Sequence, residues 1–258
     1  MWHKREKRRR RTDPVAAPLV APLPVAPPPR YAPTETDWQG GEPGAMLRAL
    51  VHLATNPGIV SHLPRAAIVR KLRLFHCACC RLRWDLLPAI GRAAVEVVEQ
   101  YADGFVNAKR LRGARRAAGT VARAAHPPWN ATTVPGAWDV TNVARLAVAA
   151  AEVHATLALG RATSGPSVSA PDQSRLLREL FENPFRPVRI APGWHTPTVV
   201  ALARAAHADR AFELMPVLGD ALQDAGCSSP EVLDHCYGPG PHVSGCWLLD
   251  RLTGRVGA

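Results

Sequence analysis

Aromatic residues are scarce in this chain, fifteen in 258, and seven of them are tryptophan. They do not interleave with the basic clusters, so no base-stacking surface for single strands is indicated. No window of 18 apolar residues runs without a charge or a proline, so no membrane span is expected. No stretch alternates apolar and polar residues for long enough to demand a sheet. A phosphate-binding glycine loop, a zinc-protease helix and a nucleophile elbow are all missing. Six cysteines are too few for a disulfide scaffold of this length. The apolar stretch Val15–Pro29 is broken repeatedly by proline and makes no secretory core. A reducing cytoplasm is the expected location, with thiols free or metal-bound.

Charge is abundant but uneven. The formal net charge is +11. Residues 1–30 hold eight basic side chains, among them Lys4, Arg5 and Lys7 through Arg11, against Glu6 and Asp13. Eight prolines follow between Pro14 and Pro33. Such a segment cannot bury a core and is expected to be a disordered, polyproline-like tail over residues 1–33. It reads equally as upstream sequence translated from a misplaced start. The remaining body, 34–258, is only mildly basic.

That body is rich in Ala and Leu, which favour helix. Pro43, Pro64 and Pro88 stand where helices open. Ile68, Leu72, Phe75, Cys79, Leu82 and Leu86 step by three and four, the pattern of one buried helix face. Asn56-Pro57-Gly58 is a turn, and His126-Pro127-Pro128 stops a basic helix over 105–125. A long Ala-rich helix is expected over 137–159. Gly160–Pro171 is the best internal boundary, dividing the body into lobes 34–160 and 172–258. Asp172 is placed as the cap of a helix over 173–181, and Thr196-Pro197 and Ser229-Pro230 open two more. A helix over 210–225 ends at Gly226, and the last helix is expected over 242–252. The fold expected is all-α: an irregular multi-helix bundle of about 8–10 helices with Pro-rich connections.

Chemistry concentrates in two clumps. The first is His76-Cys77-Ala78-Cys79-Cys80 and the second is Cys227, His235-Cys236, His242 and Cys246. On a helix, Cys77 and Cys80 are three apart and His76 and Cys80 four, so either pair can face one ion. The metal reading takes Cys77 or Cys80, with His76 as a further donor, and completes the set from Cys227, His235, Cys236, His242 or Cys246; thiolate and imidazole donors favour zinc. Against it, the second clump is spread over twenty residues, and free cysteine is among the most buried residue types. Cys79 and Cys246 read as core residues on that ground. Glu96 and Glu99 are three apart and read as a solvated helix face. Gly238-Pro239-Gly240-Pro241 is a rigid turn, because its prolines lack the donors an anion needs. Arg65, Arg70, Lys71, Arg73, Arg81 and Arg83 read as a basic rim, and Lys109, Arg110, Arg112, Arg115, Arg116 and Arg123 as a second basic face.

Three stretches carry a family resemblance. They are Thr34-Glu35-Thr36-Asp37-Trp38; Lys71-Leu72-Arg73-Leu74-Phe75-His76-Cys77-Ala78-Cys79-Cys80-Arg81; and the run from Asn183-Pro184-Phe185-Arg186-Pro187 to Gly240-Pro241-His242-Val243-Ser244-Gly245-Cys246-Trp247. Over about 34–254 the chain resembles a highly paralogous planctomycete family of the Gemmata type, whose members carry no assigned activity. It departs from the usual pattern at Leu82, Tyr237 and Ser244, where arginine is common. Members are sometimes attached to other modules, which implies an accessory role. The leading reading is a non-catalytic helical accessory or protein-interaction module with no cofactor and an unknown protein partner. The alternatives are a zinc-binding or metal-dependent protein, a hydrolase among the options, and a nucleic-acid-associated protein.

Overall fold

The computed structural model describes residues 33–55, 63–124 and 168–255. All belong to one compact unit, Ala32–Ala258. The tail, the turn at 56–58, the stop at 126–128, the helix expected over 137–159 and most of the Gly160–Pro171 boundary lie outside the described residues.

Among the described residues the fold is an all-α irregular bundle without strands. Ten α-helices are described: α1 Glu35–Gln39, α2 Pro43–Thr55, α3 Arg65–Leu82, α4 Ala89–Ala102, α5 Ala108–Ala124, α6 Ala170–Leu180, α7 Pro197–Ala208, α8 Met215–Asp224, α9 Pro230–Tyr237 and α10 Trp247–Thr253. None of these helices is long and apolar enough to cross a membrane.

Local chemistry explains most boundaries. Thr196 Oγ1 accepts from the Val199 amide at 3.3 Å, and Pro197 fills the first turn of α7, where its missing N–H costs nothing. Ser229-Pro230 opens α9 in the same register. α6 begins a turn earlier than Asp172. Ser169 is the cap, accepting from the Asp172 amide at 3.2 Å and donating to its carboxylate at 2.6 Å. The segment expected as one helix over 210–225 is a 3-10 turn, Phe212–Leu214, followed by α8. Gly226 takes the left-handed conformation just beyond it, at φ +85°.

The last helix starts five residues later than expected, because Gly245 stands at φ +90° and breaks the run. A Cβ there would lie 2.5 Å from Leu74 Cδ1 and 3.0 Å from Leu180 Cδ2. The backbone at Gly245 therefore presses directly on α3 and α6, which only glycine permits.

Two apolar clusters result. The first packs α1–α6 around α3, whose neighbours are α2, α4 and α6. The second packs α7–α10 around Met215, Leu218, Leu222, Val232 and Leu248. α6 belongs to the first cluster through Leu176, Leu177, Leu180 and Phe181.

The contact between the clusters combines the apolar contact at Gly245, with Val243 also packed on the first cluster, and a set of buried ion pairs. α3 is buried all along Ala67–Cys80, not on one stripe, and Leu82 is exposed. Its basic side meets the second cluster. Arg70 Nη1 and Lys71 Nζ both lie 2.7 Å from Asp250 Oδ2, and Lys71 Nζ donates to the Gly245 carbonyl at 2.8 Å. Arg70 Nη2 also reaches Asp103 at 2.6 Å. Arg73 lies over the Tyr101 ring at 5.1 Å. These three cations are inside the protein, which removes half of the basic rim the sequence suggests. Glu99, read as a solvated carboxylate, is buried and holds Arg81 at 2.6 Å and Arg210 at 2.8 Å. Arg251 pairs with the buried Glu182 at 2.7 Å. Buried charge is tolerable only when paired, and each of these pairs spans the seam or lies against it.

Candidate metal centre

One cluster of ligating side chains lies on that seam. Glu179 comes from the last turn of α6, in the first cluster. His235 lies in the last turn of α9, His242 in the loop that follows, and Cys246 immediately before α10. The turn at Gly238–Pro241 reverses the chain after α9, with Gly240 at φ +79°. It brings the His242 ring within 5.2 Å of His235, edge to face.

One ligand atom from each of the four side chains lies within 4.8 Å of the other three. Several edges are shorter. His235 Nε2 is 3.1 Å from Cys246 Sγ and 3.5 Å from Glu179 Oε2, and His242 Nδ1 is 3.2 Å from Glu179 Oε2. Donors bound tetrahedrally to one zinc at ordinary bond lengths sit roughly 3.3–3.6 Å apart. The cluster could hold a metal ion once its longer edges, up to 4.8 Å, close.

Its electrostatics are mixed. Cys246 is fully buried, and burial, reinforced by Glu179, pushes its thiol well above the ordinary value. Burial likewise lowers His235, with Glu179 opposing. At His242 burial also opposes the charge, but the Glu179 carboxylate outweighs it and the ring titrates above its usual range. A metal cation would reverse the balance at Cys246 by stabilising the thiolate. The indole N–H of Trp247 donates to His235 Nδ1 at 3.2 Å. Because an indole can only donate, Nδ1 accepts and the proton of the neutral ring sits on Nε2. A metal held on Nε2 would leave the ring's proton on Nδ1, facing the Trp247 N–H, so the indole would have to turn away from the ring. A cavity of about 210 Å³, lined by Arg175, Arg178, Asp234, Glu179, His235 and His242, adjoins the cluster.

Of the residues singled out in the sequence, His235, His242 and Cys246 meet here. His76, Cys77 and Cys80 are buried along α3, and His76 Nδ1 faces the Leu72 carbonyl at 2.8 Å. Cys77 and Cys80 stand three apart, yet burial raises both thiols. Burial pushes the Cys79 thiol up to about 12. Cys227 and Cys236 pack in the second apolar cluster, and burial pushes Cys236 up to about 12. None of these five cysteines joins a group of three or more ligating residues among the described residues. Cys246, which reads as core, is both core and cluster member. Glu179 was invisible as a ligand, because Arg178-Glu179-Leu180 contains no other ligating residue. Its one signal is position, three residues after Leu176 on the apolar side of α6. No protein-family model, curated protein or solved structure matches this chain.

Proposed function

We propose that this protein is a helical accessory module without catalytic chemistry, whose two apolar clusters are tied together by a zinc ion held by Glu179, His235, His242 and Cys246. The carrying observation is the convergence of four ligand atoms from both sides of the seam within 4.8 Å. One thiolate, two imidazoles and a carboxylate are a donor set suited to zinc. Four protein donors complete a tetrahedron, which favours a structural over a catalytic role. The metal would add one link to a seam otherwise held by ion pairs and the apolar contact at Gly245.

Cobalt substitution tests this reading. Cobalt-loaded protein is expected to show the thiolate charge-transfer band and the intense visible bands of a tetrahedral site. Cys246→Ser is expected to abolish the thiolate band and Cys80→Ser to retain it. Unperturbed spectra of aqueous cobalt in the wild-type protein would dismiss the site.

A phosphate-backbone contact is the second reading, favoured by the exposed Lys109, Arg110, Arg112, Arg115 and Arg116 on α5. It predicts duplex binding that weakens steeply with salt. An absence of binding at low salt would remove it.

A further inference from the structure

A second polar feature of the seam has no part in the metal reading. A cleft of about 400 Å³ opens between the clusters, away from the four ligating side chains. Arg81, Glu96, Glu99, Asp103 and Phe105 form its wall from the first cluster's side; His207, Arg210, Ser244 and Arg255 form the other. Small-molecule sites favour such junctions, where a few placed polar groups meet an apolar surface.

The charges of the cleft are balanced: three guanidiniums face three carboxylates. Polyanions are therefore disfavoured. The carboxylates are not equivalent. Glu99 is committed to Arg81 and Arg210, and Asp103 to Arg70 and His207. Glu96 is exposed and acts on Arg81 through its charge alone, so it is the carboxylate least committed by hydrogen bonds. The cations divide similarly. Arg81 engages Glu99 through two bonds, of 2.9 and 2.6 Å. Arg255 comes no closer than 4.0 Å to Asp103, beyond hydrogen-bonding distance, and its side chain is partly exposed. Arg210 also reaches Ser244 Oγ at 3.0 Å.

Arg210 is the one non-glycine residue with positive φ among the described residues, at +55°. Arg210 lines the cleft, where glycine would relieve the backbone strain and supply no charge. Phe105 lies at the lip, 70% exposed, and offers a ring to an apolar group.

We propose that this cleft binds a free α-amino acid with an apolar or aromatic side chain. The carboxylate is received by Arg255, with Arg210 and Ser244 beside it. The ammonium group is received by Glu96, and the side chain lies against Phe105. A zwitterion suits a cleft in which Glu96 makes no side-chain hydrogen bond among the described residues and Arg255 only a long, 4.0 Å ion pair with Asp103, which neither a simple anion nor a simple cation does.

Calorimetry or ligand-observed NMR on the full chain tests this, with L-phenylalanine and L-leucine as probes. Saturable binding of either is expected. Arg255→Ala and Glu96→Gln should each weaken it by about tenfold or more, because each loses a charged hydrogen-bonding partner. Both side chains are partly or fully exposed, and circular dichroism checks that the variants fold. 3-Phenylpropionate, lacking the ammonium group, and phenethylamine, lacking the carboxylate, should bind at least about tenfold more weakly than phenylalanine. No binding of either amino acid, equal binding of the single-charge analogues, or unchanged binding in both variants would overturn the assignment.

Discussion

Replacing Asp250 with Asn keeps the shape of the side chain and removes its charge. Asp250 has no exposed surface and accepts from two cations on α3, Arg70 and Lys71, both at 2.7 Å. Burial works against its carboxylate, but the charges of Lys71 and Arg70 outweigh that and hold it below the usual carboxylate range. In Asp250→Asn, Arg70 keeps Asp103 and the Ala102 carbonyl. Lys71, whose side chain is only 2% exposed, keeps the Gly245 carbonyl but loses its counter-charge. Breaking a buried ion pair from one side costs about 3–5 kcal/mol, because a desolvated charge is left behind. For a body of this size each kcal/mol moves Tm by about 2–4 °C, so a fall of about 6–20 °C is expected. Urea unfolding followed by circular dichroism measures the free-energy cost, and a thermal melt the fall in Tm. The double variant Lys71→Met, Asp250→Asn removes the stranded cation with its partner, and should be clearly more stable than the two single losses added together. A cost below about 1 kcal/mol for Asp250→Asn, or simple additivity in the double variant, would refute the claim that this pair joins the clusters.

Three further outcomes follow from the seam. At Asp103, burial opposes the charge, yet His207 and Arg70 together hold the carboxyl at about 2, below its ordinary 3.8. A depressed carboxyl stabilises the fold above the unfolded value and loses that contribution as pH falls through the folded one. The stability gap between wild type and Asp103→Asn should therefore be full above pH 3.8 and shrink towards pH 2; a gap constant across that window would contradict the pairing. Gly245→Ala would set a Cβ against Leu74 and Leu180 at a left-handed φ. It should cost more than about 1 kcal/mol in chemical unfolding, and a neutral effect would mean that the contact is soft. Trp247→Phe removes the indole donor facing His235 Nδ1, the nitrogen that must carry the proton once a metal takes Nε2. Relief of two opposed donors is worth about 1–3 kcal/mol, so zinc affinity in a competition titration should rise by about fivefold or more. Weaker zinc binding in this variant would show that the indole supports the site.

Helix existence was readable wherever turn chemistry was local. Thr196-Pro197 and Ser229-Pro230 open α7 and α9 as their sequences suggest. Boundaries set by tertiary contact were not. The start of α10 depends on Gly245 pressing on Leu74 and Leu180, residues far away in sequence. The charges of α3 misled for the same reason. Arg70, Lys71 and Arg73 look like a solvent face until α4 and the segment before α10 close over them. Within the candidate site, His235, His242 and Cys246 are close in sequence and stood out as one clump. Glu179 is more than fifty residues away, and no short-range spacing could have tied it to them.

A zinc ion held across the seam by Glu179, His235, His242 and Cys246 would tie the two clusters together. Elemental analysis of protein purified without a metal-binding tag tests for it most directly, on wild type and Cys246→Ser side by side. Close to one zinc per wild-type chain is expected, and little in the variant. Metal-poor wild-type protein that folds equally well in chelator and does not take up added zinc would contradict it.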